Sequence, residues 1–178
     1  MKKEKNYDYI ITGSVAAMAV VILAIIGLVA FICVVGAVTA EGTTFPLITE
    51  PCGLTEEELD ERLKGELKGY AGAFLQAEED YEINACFLVS VAALESGWGR
   101  SKVAENKNNL FGWTRTGGGY KEFDSFEHCI DWCAWKIRKK YINNGLDTIA
   151  EIAPVYCDRE WGEKVKEIYI KLYENWTN

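Results

Sequence analysis

The chain has 178 residues, a charged fraction of 26% and a formal net charge of −8. This length suits one domain with appended segments. A chain this acidic lacks the broad positive surface by which proteins bind nucleic acid, which excludes nucleic acid as a partner. A polymer that is neutral at the point of contact, such as a sugar chain, fits the charge better.

The N-terminal part predicts a membrane anchor at residues 10–40, where no charged residue occurs. A helix of roughly 24 residues reaches about 36 Å, enough to cross a ~30 Å hydrocarbon core. Lysines precede this run and Glu41 follows it, so the positive-inside rule places residues 1–9 in the cytoplasm and the rest outside. The alternative is a cleaved signal peptide ending at Ala40, although such apolar regions usually span only ~7–15 residues.

A linker and a folded domain follow the anchor. Residues 41–53 have the Gly, Thr and Pro composition of a linker, and we predict the domain over residues 54–178. Thr55 and Glu58 have the spacing of a capping box, which starts the first helix. The third predicted helix, Ala85 to Ser96, is apolar almost all round, and such a helix is buried.

The segment after the third helix predicts a β-hairpin. Residues 111–115 and 120–124 have strand patterns and are joined through three glycines, Gly117 to Gly119. Further helices are predicted from apolar periodicity at about 70–79, 126–141, 146–152 and 160–175. The predicted fold class is therefore mainly α (α+β), with one short β-hairpin, preceded by a single transmembrane helix.

The apolar third helix ends in a single carboxylate, Glu95, which lies in its last turn. Burial raises the pKa of a carboxyl group, and the negative end of a helix acts in the same direction. Glu95 would then stay protonated near neutral pH, as the general acid of a glycosidase must. The alternative is a core glutamate satisfied by backbone donors or by Arg100.

Two sequence blocks carry a family resemblance: Ala93-Leu94-Glu95-Ser96-Gly97-Trp98-Gly99-Arg100-Ser101 and Asn108-Asn109-Leu110-Phe111-Gly112. They resemble the bacterial endo-β-N-acetylglucosaminidases of glycoside hydrolase family 73, which are peptidoglycan hydrolases with a lysozyme-like fold. Weaker similarity continues through Tyr120-x-x-Phe123-x-Ser125 and Tyr156-Cys157-x-Arg159, where the family usually has Tyr-Ala-x-Asp. The resemblance covers about residues 55–175.

The resemblance implies roles for individual residues. Glu95 matches the catalytic acid of the family, and Tyr156 matches a tyrosine that lies beside that acid. Asn108, Asn109 and Phe111 match the loop at the floor of the substrate cleft. The two asparagines could instead form a turn whose side chains bond to their own backbone.

Three aromatic residues are further candidates for substrate binding: Trp98 and Trp113, which could stack on sugar rings, and Tyr120, which belongs to the weaker part of the family resemblance. Trp98 directly follows a buried helix, so it could instead belong to the core. Trp113 lies on the predicted hairpin, where simple exposure is the alternative.

The second catalytic group remains open at this point. Retaining glycosidases hold it ~5–5.5 Å from the acid, and inverting enzymes hold it ~6.5–9.5 Å away. Strand alternation places Tyr120, Glu122 and Asp124 on one face of the hairpin, so Glu122 is the first candidate base and Asp124 the second. The alternatives are a merely solvated Glu122 and a substrate-assisted route through the N-acetyl group, which needs no second carboxylate.

Six cysteines are present, and the odd number after the apolar run means that at least one is free or pairs between chains. One or two disulfides fit this number, with no pairing specified. A peptidase pair of Cys86 and His128, or a zinc site of His128, Cys129, Cys133 and Cys157, is only weakly indicated. We predict no metal and no cofactor.

We therefore predict a membrane-anchored peptidoglycan hydrolase that cleaves the β-1,4 bond after N-acetylglucosamine. Its domain would lie outside the bacterial cell membrane, on a linker that extends about 45 Å at most. That reach favours local wall opening, for example for a secretion, conjugation or other envelope-spanning assembly. The alternatives are a non-catalytic glycan-binding or assembly subunit, and a muramidase or lytic transglycosylase acting on the same polymer.

Overall fold

The computed structural model describes residues 47–174. Seven α-helices and two short 3-10 turns occur in this part of the chain. The helices are α1 (Glu56–Arg62), α2 (Ala71–Tyr81), α3 (Ala85–Ser96), α4 (Lys102–Lys107), α5 (Phe126–Lys140), α6 (Ile149–Tyr156) and α7 (Arg159–Glu174). The predicted anchor at residues 10–40 lies outside the described residues, and no helix within 47–174 is long and apolar enough to cross a membrane.

Helix α3 is the centre of the domain, as its apolar composition predicts. Ten of its 12 residues are buried, and it packs against both α2 and α7. Asn84 caps it by accepting a hydrogen bond from the Phe87 N–H group. The buried hydroxyls of Ser90 and Ser96 donate to carbonyls one turn back, at 2.6 Å in both cases, which satisfies them without outside partners.

The capping box predicted at Thr55 and Glu58 is present and starts α1. The last part of the predicted linker, in contrast, is packed on the domain. Ile48 is 1% exposed, and its carbonyl accepts a hydrogen bond from the Asn84 N–H group at 2.7 Å. Cys52 is buried as well. The packed part of the chain therefore starts before residue 54.

The predicted β-hairpin is wrong as a pair of strands. It contains a single antiparallel bridge between Thr114 and Tyr120, and no strand occurs in the part of the chain that the structure describes. The Asn109 side chain accepts a hydrogen bond from the Trp113 N–H group at 3.1 Å and donates to the Lys121 carbonyl at 2.8 Å. Asn109 thus occupies the position of the next ladder pair, so the strands cannot extend.

The five described cysteines are free thiols. The Sγ atoms of Cys129 and Cys133 lie 3.8 Å apart within α5, and the thiols of Cys52 and Cys86 also contact each other. Residues 47–174 contain no disulfide and no cluster of three or more potential metal ligands.

Helices α6 and α7 approach each other closely because Gly162 has no side chain. A Cβ atom at this position would lie 2.6 Å from the Ala153 Cβ. Asp158 caps α7, since its carboxylate accepts a hydrogen bond from the Trp161 N–H group at 2.8 Å. Both features fix the first turn of α7, which carries Trp161.

Candidate active site

Helix α3 ends in a left-handed turn. Gly97 is its C-cap with a φ of 58°, and Trp98 and Gly99 follow with φ values of 61° and 84°. Consecutive positive φ values end the helix abruptly, and the two glycines, Gly97 and Gly99, adopt them without steric cost. The chain therefore leaves α3 directly after Glu95 and Ser96, and the Glu95 side chain is only partly covered.

Glu95 lies at the boundary of two clefts. The first, the Tyr156 cleft, has a volume of about 260 Å³ and is lined by Glu95, Phe111, Gly112, Trp113, Thr114, Lys140, Tyr141, Tyr156 and Cys157. The second, the Trp161 cleft, has a volume of about 210 Å³ and is lined by Leu94, Glu95, Cys157, Asp158, Glu160, Trp161 and Lys164. A ligand in either cleft would meet the Glu95 carboxyl group.

A larger cavity of about 820 Å³ lies elsewhere and is lined by none of the predicted site residues. Its charged side chains include Glu82 and Arg138, which pair with each other at 2.6 Å. Size alone would select this cavity, but the chemistry of Glu95 selects the two clefts beside α3.

The Glu95 carboxylate has a hydrogen-bond donor in Trp161, whose Nε1–H group donates to Oε1 at 2.7 Å. Glu95 forms no ion pair with Arg100 or any other cation in residues 47–174. Burial raises the pKa of Glu95, and the Trp161 hydrogen bond offsets this only in part because it favours the charged form. Glu95 therefore keeps its proton to a higher pH than an ordinary glutamic acid.

Tyr156 shares its cleft with Glu95. Its ring stacks on Trp161, with centroids 4.3 Å apart and an interplanar angle of 15°. Burial and, second, the charge of Glu95 raise the pKa of Tyr156 well above its usual value. The Tyr156 hydroxyl lies 3.5 Å from the Phe111 carbonyl oxygen, too long for a strong hydrogen bond. This neutral hydroxyl can therefore donate to a ligand.

The two asparagines of the predicted cleft floor have backbone partners. Asn109 is 1% exposed, and its side chain bonds to the Trp113 and Lys121 backbones as described above. Asn108 has a φ of 50°, and its side-chain amide donates to the Phe123 carbonyl at 2.9 Å. These bonds give both residues a structural role, and their contact with substrate stays a prediction.

The four aromatic candidates divide into two groups. Phe111 and Trp113 line the Tyr156 cleft, and Trp113 also contacts the Tyr156 ring edge-on, with centroids 6.2 Å apart. Trp98 lies instead under the Lys64 ammonium group, 5.5 Å from the ring centroid. Tyr120 is 44% exposed, and neither Trp98 nor Tyr120 lines a cleft with Glu95.

Neither predicted second carboxylate lines a cleft with Glu95. The Glu122 side chain is 65% exposed and pairs with Lys107 at 3.1 Å. The Asp124 side chain is 95% exposed and contacts His128 Nδ1 at 3.1 Å. The structure therefore does not bring these acids together with Glu95.

Several residues beside Glu95 were not predicted from the sequence. Trp161 is 66 positions away along the chain, and periodicity would place it simply on the apolar face of α7. Asp158 and Glu160 line the Trp161 cleft, and Lys140 lines the Tyr156 cleft. Asp158 and Glu160 could have been predicted from their position in the sequence, since they closely follow Tyr156.

Comparisons with known proteins identify the family and the fold of the chain. The family model described as "Glucosaminidase: Mannosyl-glycoprotein endo-beta-N-acetylglucosaminidase" matches residues 71–174. A putative endo-beta-N-acetylglucosaminidase of Streptococcus pneumoniae is 35% identical over 145 residues, covering 73% of this chain and 22% of that protein. The chain thus spans about a fifth of the length of the curated relatives it matches.

Solved structures of autolysins share the mainly helical, lysozyme-like fold. A catalytic glutamate-to-alanine mutant of S. aureus autolysin E, in complex with the disaccharide NAG-NAM, has a TM-score of 0.66 at 27% identity, covering 73% of this chain and 71% of that one. The same protein in complex with the muropeptide NAM-L-Ala-D-iGlu gives the same values. The sequence match over residues 71–174 shows that the chain belongs to the glucosaminidase family of glycoside hydrolases.

Proposed function

We propose that the protein is a peptidoglycan hydrolase that cleaves the β-1,4 bond after N-acetylglucosamine, with Glu95 as the general acid. The observation that carries this proposal is a half-buried carboxyl group, with no ion pair in residues 47–174, that opens into two clefts. It is supported by the names of the relatives and by the NAG-NAM complex of autolysin E.

In the first half of the reaction, protonated Glu95 gives its proton to the leaving glycosidic oxygen as the bond to the anomeric carbon breaks. The carboxylate that results accepts the Trp161 Nε1–H bond at 2.7 Å. This donor is already in position and stabilises the charge that develops on Glu95. The Tyr156 hydroxyl, which shares the cleft, is a donor for a polar group of the sugar.

The second half of the reaction is best served by the substrate itself. Glu95 is the single carboxylate among the residues that line the Tyr156 cleft, while Glu122 and Asp124 are exposed and paired elsewhere. The N-acetyl carbonyl oxygen would attack the anomeric carbon as the leaving group departs, forming a cyclic oxazolinium ion that keeps the amide N–H proton. Water then opens this ring, and Glu95 takes the water proton.

The Trp161 cleft offers an alternative, because Asp158 and Glu160 line it together with Glu95. Both acids already have partners: Asp158 caps α7, and Glu160 pairs with Lys164 at 2.7 Å. A change of partner would be needed before either could activate water.

Digestion of purified peptidoglycan by the wild-type protein and by Glu95→Gln tests this proposal. We expect N-acetylglucosamine at the new reducing ends with the wild type and almost no product with the variant. Undiminished digestion by Glu95→Gln would overturn the role of Glu95. Muramic acid at the reducing end or an anhydro end would indicate a muramidase or a transglycosylase, and binding without new ends would indicate the non-catalytic alternative.

We further propose that residues 10–40 anchor the domain to the outer face of the bacterial cell membrane, where it opens the wall locally, for example for an envelope-spanning assembly. The absence of charge from this run supports it. Membrane fractionation should recover the full-length protein. Recovery of only a mature species that starts near Glu41 would contradict the anchor.

A further inference from the structure

A basic and aromatic surface adjoins the Tyr156 cleft along α5. We define this Lys–Trp face by two tryptophans and four lysines: Trp132, Trp135, Lys121, Lys136, Lys139 and Lys140. Such a concentration of ammonium groups contrasts with the formal net charge of −8 of the whole chain. Lysines three and four positions apart on one helix repel each other, so an anion that binds here would relieve this repulsion.

The lysines lie over the tryptophan rings. The Lys121 Nζ atom is 4.8 Å from the ring centroid of Trp132, and the Lys139 Nζ atom is 4.9 Å from that of Trp135. The Lys136 Nζ atom lies between them, 5.9 Å from both centroids. Cations within about 6 Å of a ring face are attracted by it, so the rings hold the lysines in place without neutralising them.

None of the four lysines forms an ion pair with a carboxylate in the part of the chain that the structure describes. Lys107 and Lys164 do form such pairs, at 3.1 Å and 2.7 Å. The Lys–Trp face therefore presents positive charge that the described residues leave uncompensated.

The face continues directly into the cleft that holds Glu95. Lys140 lines the Tyr156 cleft, and its Nζ atom lies 5.9 Å from the ring centroid of Trp113. Trp113 lines the same cleft and contacts Trp132 edge-on, with ring centroids 5.6 Å apart. A substituent on a sugar in the cleft would therefore reach the ammonium groups.

We propose that the Lys–Trp face binds the carboxylates of the peptide stems attached to the glycan strand, so that the protein prefers stem-bearing to stem-free glycan. This inference rests on the proposed function. Lysines act as point charges for carboxylates, and the exposed part of Trp135, 38% of its surface, offers apolar contact. Stem carboxylates are favoured over a phosphodiester polymer because the face adjoins the glycan cleft, which a separate polymer would not need.

Binding to defined glycan fragments tests this proposal. The full chain carrying Glu95→Gln, which prevents turnover, is titrated calorimetrically with a tetrasaccharide of alternating N-acetylglucosamine and N-acetylmuramic acid, with and without peptide stems. We expect the stem-bearing form to bind about tenfold more tightly, since two or more weak ion pairs are worth about that factor. The difference should vanish in about 1 M salt, where the Debye length is ~3 Å.

Two double lysine variants, each added to Glu95→Gln, then distinguish binding by the Lys–Trp face from a general effect of positive charge. Adding Lys136→Gln with Lys139→Gln should abolish the preference for stems. Adding Lys68→Gln with Lys102→Gln removes the same charge from exposed lysines outside the face and should leave it intact. Thermal melting of each variant checks that it is folded.

Equal affinity for both tetrasaccharides would overturn the inference. An equal loss of the preference for stems in the two double lysine variants would also overturn it. Tighter binding of a phosphodiester wall polymer than of the stem-bearing glycan would also overturn it. If the wild type releases N-acetylglucosamine ends while Glu95→Gln shows no preference for stems, this inference alone fails. If neither tetrasaccharide binds and no ends are released, the proposed function fails with it.

Discussion

The carboxylates at the end of α3 and in the turn after α4 differ in their surroundings although both regions were predicted to be catalytic. Glu95 is half-buried, accepts a hydrogen bond from Trp161 and has a raised pKa. Glu122 and Asp124 are 65% and 95% exposed, and each has a partner of its own. Burial by the helix, rather than the presence of an acid near the motif, makes Glu95 able to hold a proton.

The two regions also differ in what their polar side chains do. At the end of α3, the Glu95 carboxyl group opens into the clefts. In the turn, the buried Asn109 amide is fully engaged with the backbone of residues 113 and 121. The first region thus leaves its carboxyl group open to a ligand, and the second holds the wall of the Tyr156 cleft in shape.

The largest expected effect is the loss of activity when Glu95 is replaced, and it tests directly whether the two regions differ in their contribution to catalysis. Glu95→Gln should reduce the rate of peptidoglycan cleavage by about 10²–10⁴, the usual contribution of a general acid. The control is the double variant Glu122→Gln and Asp124→Asn, which should stay within about threefold of the wild type because exposed ion pairs contribute little. Release of new reducing ends measures both. If the double variant loses as much activity as Glu95→Gln, the exposed acids contribute as much to catalysis as Glu95, and the distinction between the two regions is wrong.

The structural role of the turn gives the next largest effect. Asn109→Ala should lower the free energy of unfolding by about 2–3 kcal/mol, because it leaves buried backbone groups without partners. Urea denaturation measures this loss. Asn106→Ala is the matched control, since the exposed Asn106 amide makes one local bond to the Lys102 carbonyl at 2.8 Å, and it should cost at most about 0.5 kcal/mol. An equal loss of unfolding free energy in the two variants would contradict the structural role of Asn109.

Removal of the donor to Glu95 should change the pH dependence of activity. Trp161→Phe keeps a ring to stack on Tyr156 but removes the Nε1–H group, which lowers the pKa of Glu95 by favouring its charged form. The pKa of Glu95 should rise further, so the alkaline limb of the kcat/KM profile should move to higher pH. Trp98→Phe, which changes a ring outside both clefts, should leave that limb in place.

A movement to lower pH, or an equal movement in Trp98→Phe, would contradict the role of Trp161. A lower rate with an unmoved alkaline limb would show that Trp161 only supports the fold. The pH profile therefore separates a positioning role from a purely structural one.

The smallest expected effect is on stability. Because folding raises the pKa of Glu95 above its ordinary value of 4.5, its contribution is fully present below the unfolded-state pKa and is lost as the pH rises through the folded-state pKa. Glu95→Gln cannot ionise, so it should become more stable relative to the wild type over that window. Unfolding free energies across about pH 4 to 8 measure the difference, and parallel curves would contradict it.

Much of the helical fold could be predicted because apolar spacing reports which face of a helix is buried. The buried α3 and the capping box at Thr55 and Glu58 follow from local pattern alone. The hairpin was wrong because strand patterns do not show that a side chain from elsewhere, here Asn109, takes the ladder positions. The prediction for Glu122 failed for the same reason. Strand alternation placed Glu122 on a face that could line the cleft, but no strand forms there and its side chain pairs with Lys107.

The sequence by itself determined the buried helix that ends in Glu95 and the motifs that place the chain in its family. These depend on residues close together in the chain, whose spacing translates directly into one helix face and its end. Only the tertiary structure decided what surrounds Glu95. The Trp161 hydrogen bond, the stacked Tyr156 and the Lys–Trp face depend on how α7 packs on α3 and α6, and on how α5 packs on α2. That packing depends on close contacts such as Gly162 against Ala153, and no local pattern encodes them.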